Sequence, residues 1–192
     1  PPDIIQRNNQ AWQTVLSKSS VETEAAKFMQ WPEPGSTTTG GWVETLWKQR
    51  EPYNDMCPVD PDKGIRSPTG CVANTMAQII NYHKQIGDFQ LMPSDRYYLS
   101  DMKIDDDSTR LDFPSFNKLN SFLDSIRIKY EGGSILNNKD IAALNFVCGI
   151  SMNMFYNYNE SGTTGDFTYV LRDRRQDMPW LLMDTIPMVF II

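Results

Sequence analysis

Apolar side chains recur with helical spacing in three segments of the chain, and each segment predicts an α-helix. In residues 71–83 the apolar positions cover nearly all faces, which is typical of a buried central helix. Residues 114–126 carry them on one side, and so does a segment from about residue 138 to residue 152, which begins after a capping Asn at position 137 or 138. The side chains predicted to face the core of these two helices are Phe116, Leu119, Phe122, Leu123, Ile126, Ile141, Leu144, Val147 and Cys148.

The beginning of the chain has a weaker pattern. Short helical patterns occupy residues 9–18 and 21–29, and a strip rich in Pro, Gly and Thr follows at residues 31–41. Such a strip cannot continue a helix and is typical of a linker. We therefore predict a boundary that separates residues 1–41 from a main domain at residues 42–192.

The other segments between and after the helices are polar, proline-rich or short. Residues 52–68 contain four prolines and predict a long loop, and residues 156–165 are polar, contain glycine and predict another loop. Short helical patterns at residues 167–172 and 180–185 lead to a β-branched apolar run at 187–192. That run is typical of a buried strand.

Composition and charge exclude several classes of protein. Hydrophobic residues make up 40% of the 192 residues, which is ordinary for a globular protein and too high for a disordered one. The net charge is -6 and Lys and Arg form no cluster larger than a pair, so nucleic acid is not an expected partner. The longest uninterrupted apolar stretch, residues 188–192, is far shorter than the roughly 20 residues of a membrane-spanning helix, so no membrane partner is expected.

The chain has three cysteines and one histidine. Cys57, Cys71 and Cys148 are too few and too unevenly spaced for a disulfide scaffold or a zinc site. The acidic run at residues 105–107 lacks the alternating spacing and the central Gly of a calcium loop. We therefore predict neither a metal site nor a cofactor. Any mechanism that needs an imidazole besides His83 needs a residue from outside this sequence.

Cys71 is the candidate nucleophile because it follows Gly70 and begins the most apolar predicted helix. A thiol at that place lies at the positive end of the helix dipole, beside unpaired backbone N–H groups, and both favour the thiolate. The backbone N–H of Cys71 can also donate to the oxygen of a carbonyl that its own sulfur attacks. By position alone, a small buried core cysteine remains the alternative interpretation.

The wider sequence around Cys71 helps to decide between a nucleophile and a core cysteine. Residues 47–58 read WKQREPYNDMCP and residues 69–83 read TGCVANTMAQIINYH. These strings resemble the streptopain family (C10) of papain-like cysteine peptidases, in which W-x-Q-x-x-P-Y-N precedes a loop and then T-G-C-V-A-T-A-M-A-Q-I-M-x-Y-H. The chain departs from that pattern at Asn74 and Thr75, where the family commonly has Thr and Ala. Weaker resemblance extends the likeness over residues 42–192.

The resemblance implies a role for each of several residues. Cys71 corresponds to the nucleophile, and Gln49 is the candidate for the second oxyanion donor, the alternative being a polar loop residue that bonds local backbone. Ser161, Gly162 and Thr163 correspond to a loop that borders the substrate cleft, although a Ser-Gly turn is also a common connection.

The resemblance also implies a fold and a location. The expected fold is α+β and papain-like, and the chain would supply mainly its helical half with the start of its β-rich half. The catalytic histidine of such enzymes follows the cysteine by about 130 to 150 residues, so we expect it in a C-terminal half beyond residue 192. His83 is twelve residues from Cys71 on one predicted helix, roughly 18 Å away by helical rise, and is interpreted as a packing or capping residue. Residues 1–41 would be the tail of an inhibitory propeptide.

The function that follows from the resemblance is that of a secreted bacterial cysteine endopeptidase with protein or peptide substrates and its own propeptide as partners. One alternative is an inactive pseudo-peptidase that acts as a binding or structural module. A third class, a free-standing helical interaction domain, requires that residues 42–192 fold alone. The apolar run at 187–192 argues against that class, because an unpaired apolar edge promotes aggregation.

Overall fold

The computed structural model describes residues 35–99 and 102–163, and the chain divides into two compact units, Pro1–Glu44 and Thr45–Ile192. The division lies three residues beyond the boundary predicted after residue 41. Five predicted elements lie outside the described residues: the helical patterns at 9–18, 21–29, 167–172 and 180–185, and the strand at 187–192.

The described part of the first unit, residues 35–44, consists of turns and bends. The backbone N–H of Thr38 donates to Oε1 of Glu44 at 2.8 Å, and the hydroxyl of Thr39 donates to the carbonyl of Val43 at 3.1 Å. Local side-chain contacts, rather than a helix or a strand, therefore organise this stretch.

The described part of the second unit combines helices with small antiparallel sheets, so the α+β prediction is confirmed. Its elements in chain order are β1 (Val59–Asp60), β2 (Ile65–Arg66), α1 (Cys71–His83), a 3-10 turn (Pro93–Asp95), β3 (Tyr98–Leu99), β4 (Met102–Lys103), α2 (Phe116–Glu131), α3 (Asn138–Ser151), β5 (Phe155–Tyr156) and β6 (Ser161–Gly162).

The central helix of the described second unit is α3, because both α1 and α2 pack against it. Every residue of α3 from Asp140 to Ile150 is buried, including the four positions that the sequence predicted to face inward. In α1 the buried residues are restricted to one face, and Cys71 at its start is exposed. The prediction that residues 71–83 form the central buried helix is therefore wrong. The segment is a helix, but one that packs by one face at the edge of the core.

The helix boundaries follow local signals. The Asn137 side chain accepts from the N–H groups of Lys139 and Asp140, and the Asp140 carboxylate accepts from the Asn137 N–H, which confirms the predicted cap of α3. The prediction of residues 114–126 for α2 was too short. The buried stripe continues past Ile126 to Tyr130, and α2 ends only before Gly132.

The strands that the structure describes form three separate two-stranded antiparallel sheets, β1 with β2, β3 with β4, and β5 with β6. The first pair lies within residues 52–68, which the sequence predicted as a loop, and the third begins one residue before the loop predicted at residues 156–165. Strands of two residues are too short for an alternating pattern to be recognised. Within the described ranges, no helix is both long enough and apolar enough to cross a membrane.

Candidate active site

Cys71 is the first residue of α1 and follows an unusual helix cap. Gly70, the N-cap, has φ 82° and ψ 143°, a conformation that favours glycine because it has no Cβ. A Cβ on Gly70 would overlap the Met154 methyl group and lie 3.0 Å from the Ser161 carbonyl oxygen. No side chain caps the N-terminus of α1, and its first turn carries no acidic residue. The N–H groups around Cys71 are therefore not used by a capping side chain, and such groups favour an anion.

The three thiols differ sharply in their surroundings. Cys71 is exposed, whereas Cys57 and Cys148 are buried. Burial raises the pKa of the Cys148 thiol to about 12, and it raises the pKa of Cys57 further above the ordinary range, although Arg66 opposes part of that increase. The two buried cysteines therefore behave as apolar core residues that keep their protons. The interpretation of Cys71 as a buried core cysteine does not fit its position.

Gln49 lies next to the segment that leads into α1. Its backbone carbonyl accepts from the N–H of Thr69 at 3.0 Å, and Thr69 is fully buried two residues before Cys71. The Gln49 side chain belongs to an exposed residue. The fold thus brings Gln49 and Cys71, which are 22 positions apart in the sequence, to one end of α1.

The predicted cleft-border residues reach the same end of α1 through β6. Ser161 pairs with Tyr156 and Gly162 pairs with Phe155 across the β5–β6 hairpin, and β6 contacts α1. Because the Ser161 carbonyl lies against Gly70, the hairpin closes on the residue before Cys71. The hydroxyl of Thr163 donates to the carbonyl of Met152 at 2.8 Å, which ties the end of the hairpin to the end of α3.

His83 is the last residue of α1, at the opposite end from Cys71. Twelve residues of continuous helix separate the two, which corresponds to roughly 18 Å. The His83 ring is half-buried and meets the Tyr82 ring edge-on, with centroids 5.0 Å apart. An imidazole at that distance cannot exchange a proton with the Cys71 thiol, since proton transfer needs hydrogen-bond contact or one bridging water.

Several polar residues that hold this region together were not identified from the sequence. Asn74 of α1 donates to the carbonyl of Lys48 at 3.0 Å and to Oδ1 of Asn145 in α3 at 3.3 Å. A polar pair with the i, i+4 spacing, Asn74 and Gln78, inside an apolar helix was the available signal. Asn145, in the middle of the apolar α3 pattern, was the second such signal.

Arg50 connects the loop after Gln49 with both flanking hairpins. Its guanidinium donates to the carbonyl of Arg66 at 3.3 Å, at the end of β2, and to the carbonyl of Asn159 at 3.2 Å, between β5 and β6. These contacts hold the loop and the two hairpins together near the N-terminus of α1. Among the described residues, no group of His, Cys, Asp or Glu side chains could hold a metal ion.

A comparison with protein-family models shows which family the chain belongs to. The model described as the Peptidase C10 family matches residues 47–174, two thirds of the 192-residue sequence, and this range includes Cys71. A comparison with curated proteins found no match. The family match covers Gln49, the three helices and the β5–β6 hairpin together. The chain therefore belongs to the Peptidase C10 family, the streptopain family of cysteine peptidases.

Proposed function

We propose that this chain is the nucleophile-bearing part of a secreted bacterial cysteine endopeptidase. The observation that carries the proposal is the position of Cys71, an exposed thiol on the first residue of α1, beside N–H groups that no side chain caps. Family membership supports a cysteine-type peptidase that acts on proteins. Secretion from a bacterium is the part of the proposal that rests on the sequence resemblance alone.

The proposed reaction begins when the Cys71 sulfur adds to the carbonyl carbon of a peptide bond. The oxygen of the tetrahedral intermediate becomes an anion, and we assign two donors to it: the backbone N–H of Cys71 and the side-chain amide of Gln49. The C–N bond then breaks and the amine leaves with a proton, so that a thioester remains on Cys71. Water hydrolyses the thioester and regenerates the thiol.

The general base of this mechanism is proposed to be a histidine outside these 192 residues. His83 is the only histidine of the sequence and lies at the far end of α1. A base must lie within hydrogen-bond reach of the thiol or be joined to it by one water. The remote position of His83 therefore supports a histidine supplied by another segment of a longer protein.

The remaining proposals concern the surroundings of Cys71. Ser161, Gly162 and Thr163 are proposed to border the substrate cleft, which is supported by the contact between β6 and α1. The three helices are proposed to be the helical half of a papain-like fold, since a cysteine begins a helix that packs on a more deeply buried one. Residues 1–41 are proposed to be the tail of an inhibitory propeptide.

The test uses the full-length gene product and a fluorogenic protein substrate such as labelled casein. Cys71→Ala is expected to abolish turnover, whereas Thr75→Ala, at an exposed position on the same helix, should retain it. The 192-residue chain alone is expected to hydrolyse nothing, and turnover by it would contradict the assignment of the base. If the full-length protein binds peptides without any turnover, the pseudo-peptidase alternative holds instead.

A further inference from the structure

The side chain of Asn74 uses every polar atom that it has. Its Nδ2 donates to the Lys48 carbonyl at 3.0 Å and to Oδ1 of Asn145 at 3.3 Å, while its Oδ1 accepts from Nε2 of Gln78 at 2.8 Å. Only 6% of Asn74 is exposed, and Asn145 is fully buried. A buried amide with all its partners in place has one favourable orientation, because any other orientation leaves polar atoms unpaired.

The hydrogen-bond network formed by Asn74, Gln78 and Asn145 also holds the segment that leads to Gln49. Oε1 of Gln78 accepts from the hydroxyl of Thr45 at 2.9 Å and from the N–H of Trp47 at 3.3 Å. Together with the bond from Asn74 to Lys48, these contacts attach the residues before Gln49 to the side of α1.

The far side of the network is anchored in the core. Nδ2 of Asn145 donates to the carbonyl of Ile141, one turn earlier in α3, at 3.0 Å. That bond leaves Oδ1 of Asn145 directed at Asn74. The central helix therefore orients the Asn74 amide, and the Asn74 amide orients the Lys48 carbonyl.

We infer that Asn74 is a positioning residue, which holds Gln49 in register with the N-terminus of α1 so that its amide meets the oxyanion formed at Cys71. This inference rests on the proposed function. The streptopain-type pattern has Thr at this position, and one hydroxyl supplies a single donor hydrogen. A Thr could not donate to both Lys48 and Asn145. In this chain, the position of the Gln49 segment relative to α1 thus depends on Asn74, a residue that the pattern does not contain.

An oxyanion donor acts in the transition state, so a shift of Gln49 affects kcat more than KM. Loss of one such donor typically costs about 10²- to 10³-fold in kcat. The Asn74 carboxamide can be removed by Asn74→Ala, and we expect kcat to fall at least about 10-fold with KM nearly unchanged. Thr75→Ala is the matched control, since Thr75 is the exposed neighbour on the same turn.

A double-mutant cycle on the full-length protein tests the inference with the labelled-protein assay. In the Gln49→Ala background, Asn74→Ala is expected to cost less than about twofold, because the donor that it positions is already absent. Equal losses in both backgrounds would overturn the inference and leave the proposed function standing. A Gln49→Ala variant with unchanged kcat would overturn both the inference and the assignment of Gln49 as an oxyanion donor, while Cys71 would remain the proposed nucleophile. A parent protein without Cys71-dependent turnover would overturn the proposed function together with the inference.

Hydrogen exchange gives a second measurement that does not need activity. Asn74→Ala is expected to speed exchange of two backbone amides. The Trp47 N–H donates to Oε1 of Gln78, and the Thr69 N–H donates to the Gln49 carbonyl. Amides in the middle of α3 serve as the internal reference for global destabilisation. Unchanged exchange at both amides, or a uniform increase that includes α3, would overturn the positioning role.

Discussion

The Tyr156 hydroxyl lies directly over Gly149 of α3, where a Cβ would overlap the hydroxyl oxygen and lie 3.2 Å from the ring carbon that carries it. The next nearest atom is the Cβ of Ala73 in α1, at 3.6 Å. Gly149 is therefore a point at which α3, α1 and the β5–β6 hairpin approach one another closely. The absence of a side chain at this position lets the hairpin pack near the start of α1.

Gly149→Ala should destabilise the protein, because one methyl group is added where no space exists and the buried Tyr156 ring must move. Overpacking of this kind typically costs about 1–3 kcal/mol. Urea unfolding followed by fluorescence measures the loss. A Gly149→Ala protein as stable as the wild type would contradict the close approach.

Tyr156→Phe should be neutral or stabilising, because the Tyr156 hydroxyl is buried and has no hydrogen-bond partner among the described residues. Removing an unsatisfied buried group also removes its desolvation cost, about 1–3 kcal/mol. The same change should reduce the cost of Gly149→Ala, since the overlapping oxygen is gone. Unfolding of the two single variants and the double variant measures this coupling. Additive effects would show that the two residues do not touch.

The sequence predicted the parts of this region that depend on local signals. The start of α1 at Cys71 follows from Gly70, and the start of α3 follows from the Asn137 cap. The identity of the central helix could not be predicted in this way. Residues 71–83 have an apolar composition like that of α3, and only tertiary packing decides which helix is covered on all sides.

The hydrogen bonds that hold the segment before Gln49 could not be predicted from the sequence either. Asn74 and Asn145 are 71 positions apart, and no local pattern shows that two such amides meet. The sequence marked Cys71, Gln49 and the residues 161–163 as candidates, because the resemblance to the streptopain family points to them. Of the residues that hold them together, Gln78 lies in the family motif, whereas Asn74 is where the sequence departs from it and Asn145 lies outside the two strings that carry the resemblance.

Iodoacetamide at mildly acidic pH should label Cys71 before Cys57 and Cys148. Alkylation needs an accessible thiolate, and burial both shields the other two thiols and raises their pKa. Mass spectrometry of peptides from briefly treated full-length protein locates the label. In concentrated urea the difference between the three should disappear. Equal labelling in the folded protein would contradict an accessible and activated Cys71.

Stability should fall as the pH rises above about 9. The pKa of Cys148 is raised from 9.0 to about 12 by burial, so above pH 9 the unfolded chain releases a proton that the folded chain keeps. Release favours unfolding, and each group of this kind contributes up to about 1.4 kcal/mol per pH unit. Urea unfolding between pH 8 and pH 10.5 measures the slope. Cys148→Ala should make the slope shallower, and an unchanged slope would contradict the buried, protonated thiol.

Limited proteolysis of the full-length protein should cut first between Gly35 and Gly41. This stretch is exposed or half-exposed and contains no helix or strand. Proteases cleave where the backbone can leave its contacts at little cost. If residues 1–41 are an inhibitory propeptide, the cut should be followed by a gain of activity towards a labelled protein substrate. The time courses of cleavage, by mass spectrometry, and of activity should coincide.

A matched variant separates inhibition by the leader from a general effect of the protease. Deleting residues 36–40 shortens the strip and should delay both the cut and the gain of activity, while Cys71→Ala in the full-length protein should allow the cut but never gain activity. A first cut at another site, or cleavage that leaves activity unchanged, would mean that residues 1–41 are an integral part of the folded domain. In that case their removal should lower the midpoint of urea unfolding, since integral segments contribute buried contacts that a detachable propeptide does not.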